Sequence, residues 1–440
     1  MSLTPLNRYD RRLDAAAYRS RSLPCGLTLV EVHQPHLHRG TVSVFFKAGS
    51  RFESSEENGI SHFLEHMIFR GTEGLETPYA QNLAVERLGG TLFAATAPDT
   101  TEFSITLPME TLDEGSRLLA TILTKPILGG IDIERNVIAE EVLEDMDESG
   151  QSIDIDYISR ARLWPRHPLG QSIAGPLENI RAFTMDDIRR HFRRTYVAQN
   201  AVVCISGGYD AKSLPEVVTD SFETLATGGA TPLAVPPELA EGPSIRHVRK
   251  PGSQTQLRLA FHAPGEDDPE SVPLDILLGM LDDGMSTRLH RRIIDEKGLA
   301  YNIGAGMDAY HDVAAFNIDV TASHTKLAEV TRELLSIVFE LKAKPISGDE
   351  LEKAKRRAAW SMEEFLDDPH GMAAWYGEQA LFRQPPTLQS RREAFLAVTE
   401  EAVARVAAKV FTLKRLHLST VGAVSPKIKR DIQTAVDSFR

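Results

Sequence analysis

The chain has 440 residues, 42% hydrophobic and 25% charged, a balance that fits a folded globular protein and excludes a fibrous or largely disordered design. That length is too great for one ordinary core, so at least two domains of roughly 100–200 residues each are expected. A net charge of −13 argues against nonspecific nucleic-acid binding, and the acidic excess reads first as a solubility device.

The N-terminal stretch MSLTPLNRYDRRLDAAAYRSRSL holds no apolar core of signal-peptide length, and no apolar run elsewhere approaches the roughly 20 residues of a membrane span. Cys25 and Cys204 lie far apart and belong to no CxxC pattern, which suits a reducing compartment. These features predict a cytoplasmic protein that engages neither membrane nor nucleic acid. Leu27–Val32 and Val42–Ala48 read as strands. His36 and His38, between them, share one side of an extended segment, a spacing that permits metal binding, but the segment reads as an exposed connection.

The segment from Asn58 to Gly71 contains H-x-x-E-H between plausible helix limits, with Ser61 near the start and Gly71 at the end. Helical geometry puts His62 and His66 on one face a turn apart, so two imidazoles can reach one ion. Glu65 stands at a neighbouring angle, where a carboxylate can serve as general base toward water without being a ligand. An isolated H-x-x-E-H also fits a half-exposed helix with two incidental histidines. Catalytic zinc takes three protein ligands and keeps one position open, so a third donor is needed.

Downstream, Gly89-Gly90 lacks a phosphate loop, and no Ser or Cys nucleophile motif is present. The strand-like Phe103-Ser104-Ile105-Thr106 leads to an amphipathic segment ending at Lys125-Pro126-Ile127 and then to a charged helix from Asp132 to Ser149. On that helix Glu134 and Glu141, seven apart, share a face, while Glu140 points about 100° away. Either acid on the shared face can supply the third donor. Each also reads as an ordinary helix acid, Glu141 on a solvated face and Glu134 as an N-terminal charge favoured by the dipole. The run from Glu140 to Glu148 is a solvated charge by default, and His167-Pro168 marks a turn.

Gly and Pro interrupt all periodicity over 227–243, TGGATPLAVPPELAEGP, predicting a linker between domains 1–226 and 244–440. Beyond it the order repeats. A strand at Gln256–His262 precedes Phe316-Asn317-Ile318-Asp319, Lys344-Pro345-Ile346 and a charged helix from Asp349 to Asp367. Two diverged copies of one α+β unit explain this order. Aligning the Lys-Pro-Ile triplets sets Lys353 opposite Glu134 and Trp360 opposite Glu141, so the second copy lacks the acids of the first.

His62-x-x-Glu65-His66 followed by Glu141 in ERNVIAEE resembles the inverted zinc motif of the pitrilysin family, which includes insulin-degrading enzyme and the mitochondrial processing peptidase. Further landmarks occur in the family's order: Gly89-Gly90-Thr91 with Thr96 and Thr101, His167-Pro168-Leu169-Gly170, Gly175, Tyr196, Asn200, Gly207-Gly208, Ser286-Thr287-Arg288-Leu289 and Gly298-Leu299-Ala300-Tyr301. They span nearly the whole chain, from about Leu23 to Gly422. The resemblance implies an α+β fold of two duplicated α/β-sandwich units, and a half-size, processing-peptidase-like subunit in a clam-like dimer. It assigns His62, His66 and Glu141 to one zinc ion per chain, Glu65 to proton transfer and Glu134 to a supporting role. The strand Thr91 to Thr96, with Phe93 and Ala94, would bind a peptide as an added strand. Tyr301 would assist at the transition state.

Two positions depart from the family pattern. Phe93 stands where Asn is usual before the Ala matching Ala94, and Ile294 stands where an Arg precedes the Tyr matching Tyr301. Arg291 lies one turn earlier and reads as a surface residue. The resemblance implies a hetero- or homodimer with a similar subunit, and loss of that Arg beside an intact zinc motif fits the zinc-bearing partner of a heterodimer. The expected activity is zinc-dependent endopeptidase action on peptides or unfolded segments. The alternative is a noncatalytic assembly or peptide-binding subunit that retains a metal site.

Overall fold

The structure is a computed structural model that describes residues 18–233 and 235–439. The chain runs through β1 (Arg19–Ser22), β2 (Thr28–His33), β3 (Arg39–Phe46), helix α1 (Ile60–Ile68), β4 (Leu92–Thr96), β5 (Thr101–Pro108), α2 (Ile131–Glu144), α3 (Ile155–Leu163) and β6 (Ala201–Gly207). After the segment 227–243, which has neither helix nor strand among its described residues, come β7 (Ser244–Val248), β8 (Gln254–Pro264), β9 (Asn302–Ala309), β10 (Val313–Ser323), α4 (Gly348–Glu364), α5 (Pro369–Ala380) and β11 (Leu416–Val421).

One sheet has the order β1-β2-β6-β3-β5-β4 and the other β7-β11-β8-β10-β9. Apart from the added β1 the two match. Each contains one parallel pair, β2 with β6 and β7 with β11, followed by antiparallel neighbours. Phe103 sits between Val44 and Ala94 in the first sheet, and Phe316 between Phe261 and Met307 in the second. The duplication expected from the sequence is therefore present in the strand order and in the register. β3 and β6 are buried almost throughout, which explains apolar runs without strict alternation.

The chain forms two compact units, one of residues 18–142, 172–233 and 362–391, the other of 143–171, 235–361 and 392–439. Each unit thus draws on both sides of the 227–243 segment. In the first, α5 packs on β6 and β3; in the second, α3 packs on β11 and β8. In the Lys-Pro-Ile register α3 and α5 are overlapping counterparts, so each copy contributes the same helix to the other copy's sheet. Gly377 permits this close approach, since a side chain there would meet Phe45 and the Cβ of Cys204. Cys204 is fully buried, and neither it nor Cys25 forms a disulfide.

Helix α2 starts at Ile131 and stops at Glu144, short of the Ser149 expected. The carboxylate of Asp147 accepts from the amides of Ser149 and Gln151, both at 2.9 Å, and this local turn outcompetes another helical turn. α4 likewise ends at Glu364. His36 lies in an exposed turn, its Nε2 2.7 Å from the carbonyl of Leu366, and His38 is exposed beside it. The Nδ1 of His167 accepts from the amide of Leu169, which makes His167-Pro168 a turn cap. No helix among the described residues is long and apolar enough to cross a membrane.

Candidate metal centre

Helix α1 is placed by its N-terminus. Gly59 has φ +98°, and a Cβ there would lie 2.5 Å from the carbonyl oxygen of Ala174 and 2.9 Å from Cα of Gly175. Only backbone fits on backbone here, which accounts for both Gly59 and Gly175. The free amides of the first turn are capped by Glu53, whose two carboxylate oxygens accept from Gly59 N and Ser61 N at 2.8 Å each. An acid at a helix N-terminus also favours the dipole, while burial raises the pKa of Glu53. Ser61, expected near the start, lies inside the first turn with its Oγ 3.1 Å from His191 Nε2. Glu53 has no mark in the helical pattern because it comes from the connection before the helix.

His62 and His66 follow on one face, their ring centroids 4.8 Å apart. Glu141 reaches both from α2: one oxygen lies 3.5 Å from His62 Nε2, the other 3.6 Å from His66 Nε2. Two ligands of a tetrahedral zinc ion, each about 2.0–2.1 Å from it, stand roughly 3.3 Å apart. Two imidazole nitrogens and a carboxylate, all within 4.8 Å of one another, are a donor set that fits zinc. Burial, with His66 nearby, pushes the pKa of His62 down to about 4, which keeps it in the neutral form that can ligate.

Glu134 performs a different task. One of its oxygens lies 3.3 Å from His66 Nδ1, and the other accepts from Arg70 at 3.1 Å. A carboxylate on Nδ1 fixes the ring and leaves Nε2 directed at the donor cluster. Of the two acids on α2, Glu141 lies with the donor cluster and Glu134 lies against His66 Nδ1. Arg70, four residues beyond His66, was unassigned by sequence reasoning, although the i, i+4 continuation of the His62–His66 face pointed to it. His62 has no matching support; its Nδ1 is buried without a hydrogen-bond partner among the described residues.

Glu65 lies beside the cluster. Its Oε2 accepts a 2.6 Å hydrogen bond from Thr96, at the end of β4. Burial, and secondarily the charge of Glu141, raise its pKa, opposed by the Thr96 bond and by His66. A carboxylate held near donors yet outside them can exchange a proton with water there.

Among the described residues strand β4 is an edge, paired only with β5. Thr91 precedes it. Its faces alternate: Leu92 is buried, Phe93 and Ala95 are exposed, and Ala94 and Thr96 are intermediate. Phe93 therefore points to the face opposite Thr96 and Glu65. Tyr301 belongs to the other compact unit, just before β9, and is 93% exposed. Ile294 lies in a π-helix, His290–Glu296, in which Arg291 pairs with Glu296 at 3.4 Å and Arg292 with Glu333 and Glu340. Lys353, the counterpart of Glu134, contacts the hydroxyl of Ser286, and Trp360, the counterpart of Glu141, is half exposed.

A family model described as insulinase (peptidase family M16) matches residues 28–177, and one described as peptidase M16 inactive domain matches 182–358. The chain belongs to peptidase family M16. Among M16 relatives, an uncharacterized zinc protease of Mycobacterium leprae is 27% identical over 77% of this chain and 75% of its own length. A probable mitochondrial-processing peptidase subunit beta of Arabidopsis thaliana is 27% identical over 95% of this chain and 81% of its own. The crystal structure of a protease from Helicobacter pylori superimposes with a TM-score of 0.85 at 23% identity, covering 93% of this chain and all of that one, a likeness of fold. The M16 relatives support peptidase activity at the level of the family.

Proposed function

We propose that this chain is a zinc-dependent endopeptidase that cuts peptides or unfolded polypeptide segments bound as an extended strand. The observation that carries the reading is Glu65, tethered by Thr96 beside three convergent donors, since a purely structural site needs no base next to an open position. His62, His66 and Glu141 would hold the ion, and the zinc-protease names of relatives support that metal. Zinc in this position supplies Lewis acidity, polarising the scissile carbonyl and acidifying water. Glu65 takes the proton of the attacking water and delivers it to the departing amine nitrogen. Glu134, held by Arg70, keeps the His66 ring in place. The free edge of β4, with Phe93 and Ala94, pairs with the substrate backbone, and Tyr301 offers a hydroxyl to developing negative charge.

In this reading residues 1–226 form the zinc-bearing copy of the duplication and 244–440 the copy without it. The chain is the zinc-bearing subunit of a clam-like dimer with a similar subunit, which closes a chamber around the peptide. Ile294 supports a partner that supplies an Arg, and a relative named as a processing-peptidase subunit supports the pairing. Two unpaired cysteines favour the cytoplasm.

Phe93 and Ile294 favour the second reading, a peptide-binding or assembly subunit with an idle metal site. The two separate on zinc content and on cleavage of an unstructured peptide panel, by wild type and Glu65→Gln, alone and with a similar subunit added. The peptidase reading expects about one zinc in both proteins and cleavage by wild type only. Zinc in both with cleavage by neither, partner included, makes the assembly reading correct.

A further inference from the structure

The face of β4 turned away from Glu65 carries a side-chain arrangement that the metal centre does not use. Phe93 is a large apolar side chain left 46% exposed on a sheet edge. Its ring meets the imidazole of His370 at a centroid distance of 5.3 Å and an interplanar angle of 76°, an edge-to-face corner. His370 is fixed in turn. Its Nε2 lies 3.0 Å from a carboxylate oxygen of Glu102, and its backbone amide donates to Asp368, the N-cap of α5. Glu102 belongs to β5, opposite Ala95, so Phe93, Ala95, Ser104 and Glu102 share one face. The Glu102 hydrogen bond, aided by the charge of Asp368, raises the pKa of His370 and strengthens the pairing that holds its ring.

A strand added to β4 presents alternate side chains to the two faces. Those on the Thr96 side turn toward Glu65. Those on the other side meet Phe93, with directly opposite Cβ atoms about 4.5–5.5 Å apart. An Asn at position 93 would offer a hydrogen bond; Phe93 offers a ring, and beside it His370 forms a second wall at nearly a right angle.

Resting on the peptidase reading above, we propose that Phe93 is a specificity-determining residue that selects an aromatic side chain in the bound strand, with His370 and Glu102 as the residues that position its ring. An aromatic side chain gains contact with the corner formed by Phe93 and His370; alanine at the same place gains none.

The test uses the full chain and an unstructured peptide series in which each position in turn is Ala or Phe. Wild type is expected to favour Phe at one position. Phe93→Ala raises KM for that peptide roughly three- to tenfold, the range of a lost aromatic pair. It lowers the preference, kcat/KM for that peptide over kcat/KM for the matching alanine peptide, by the same factor. His370→Ala gives a smaller change in the same direction, and His370→Gln, which can still bond Glu102, restores part of it. Should Phe93→Ala fold poorly, Phe93→Tyr keeps the preference and Phe93→Leu weakens it. Binding of the same peptides to zinc-loaded Glu65→Gln, read by fluorescence anisotropy, separates this inference from the peptidase reading. Selective binding without cleavage by wild type retains the inference and rejects the peptidase. Cleavage with no aromatic preference, or with a preference that Phe93→Ala and Phe93→Leu leave unchanged, overturns the inference and retains the peptidase. A uniform loss of kcat across the series also overturns it.

Discussion

The hydroxyl of Thr96 donates to Glu65 at 2.6 Å, which ties the last residue of edge strand β4 to the helix that carries both histidines. The strand that would hold a peptide and the carboxylate that would move its protons are therefore coupled by one short bond. Thr96→Val removes the hydroxyl at nearly constant volume. A hydrogen bond to a charged group is worth about 1.5–3 kcal/mol, so kcat is expected to fall roughly 10- to 100-fold while zinc content stays at wild-type level. Thr96→Ser recovers most of the rate. Unchanged kcat in Thr96→Val removes this bond from the account of Glu65.

Support for the ligands predicts a different phenotype. In the proposed reading Glu134, which contacts both His66 and Arg70, orients the His66 ring, so Glu134→Ala is expected to weaken zinc binding roughly 10- to 100-fold, with activity recovered by added zinc. Arg70→Ala acts through Glu134 and shows a smaller shift. Competition against a graded chelator measures both. Glu65→Gln retains zinc with wild-type affinity, because Glu65 is outside the donor set.

The difference between these residues explains what was legible in the sequence. His62, His66, Glu134 and Glu141 lie on helices, where a fixed period converts spacing into direction, and the duplication shows in the order of elements. Glu53 reaches α1 from an irregular segment, and no period connects it to Gly59 and Ser61. The exchanged helices α3 and α5 were equally hidden, for an amphipathic pattern says that a helix buries one face and not which sheet receives it. The end of α2 was lost to the turn at Asp147, a competition between side chain and backbone that periodicity does not weigh.

Glu53 should then behave as a structural residue with a functional readout. Glu53→Ala leaves the amides of Gly59 and Ser61 without their acceptor at a tightly packed helix start. Each unsatisfied buried amide costs about 1–3 kcal/mol, so a loss of roughly 2–6 kcal/mol is expected in denaturant unfolding of the metal-free protein. Zinc affinity falls with it, since His62 directly follows Ser61. A loss below about 0.5 kcal/mol would mean that Gly59 and its packing alone define the helix start.

The second compact unit supplies a pH prediction that does not involve the metal centre. His262 is 1% exposed, beside Trp164 and with its ring 5.1 Å from that of His417. Burial pushes His262 down to about 3 and His417 to about 4. Both are neutral in the folded protein at pH 7, whereas in the unfolded chain they titrate near the ordinary histidine value of 6.5. Below that value the unfolded state takes up protons that the folded state refuses, so the stability they contribute is complete above pH 6.5 and is lost as the pH falls toward 4. Between pH 7 and pH 5 a single such histidine accounts for about 2 kcal/mol. Gln at position 262 does not titrate. With metal stripped from both samples, His262→Gln is therefore expected to lose about 2 kcal/mol less than wild type between pH 7 and pH 5, measured by denaturant midpoints. Equal losses in the two proteins would show that His262 is protonated in the fold, and would place the acid sensitivity of this unit elsewhere.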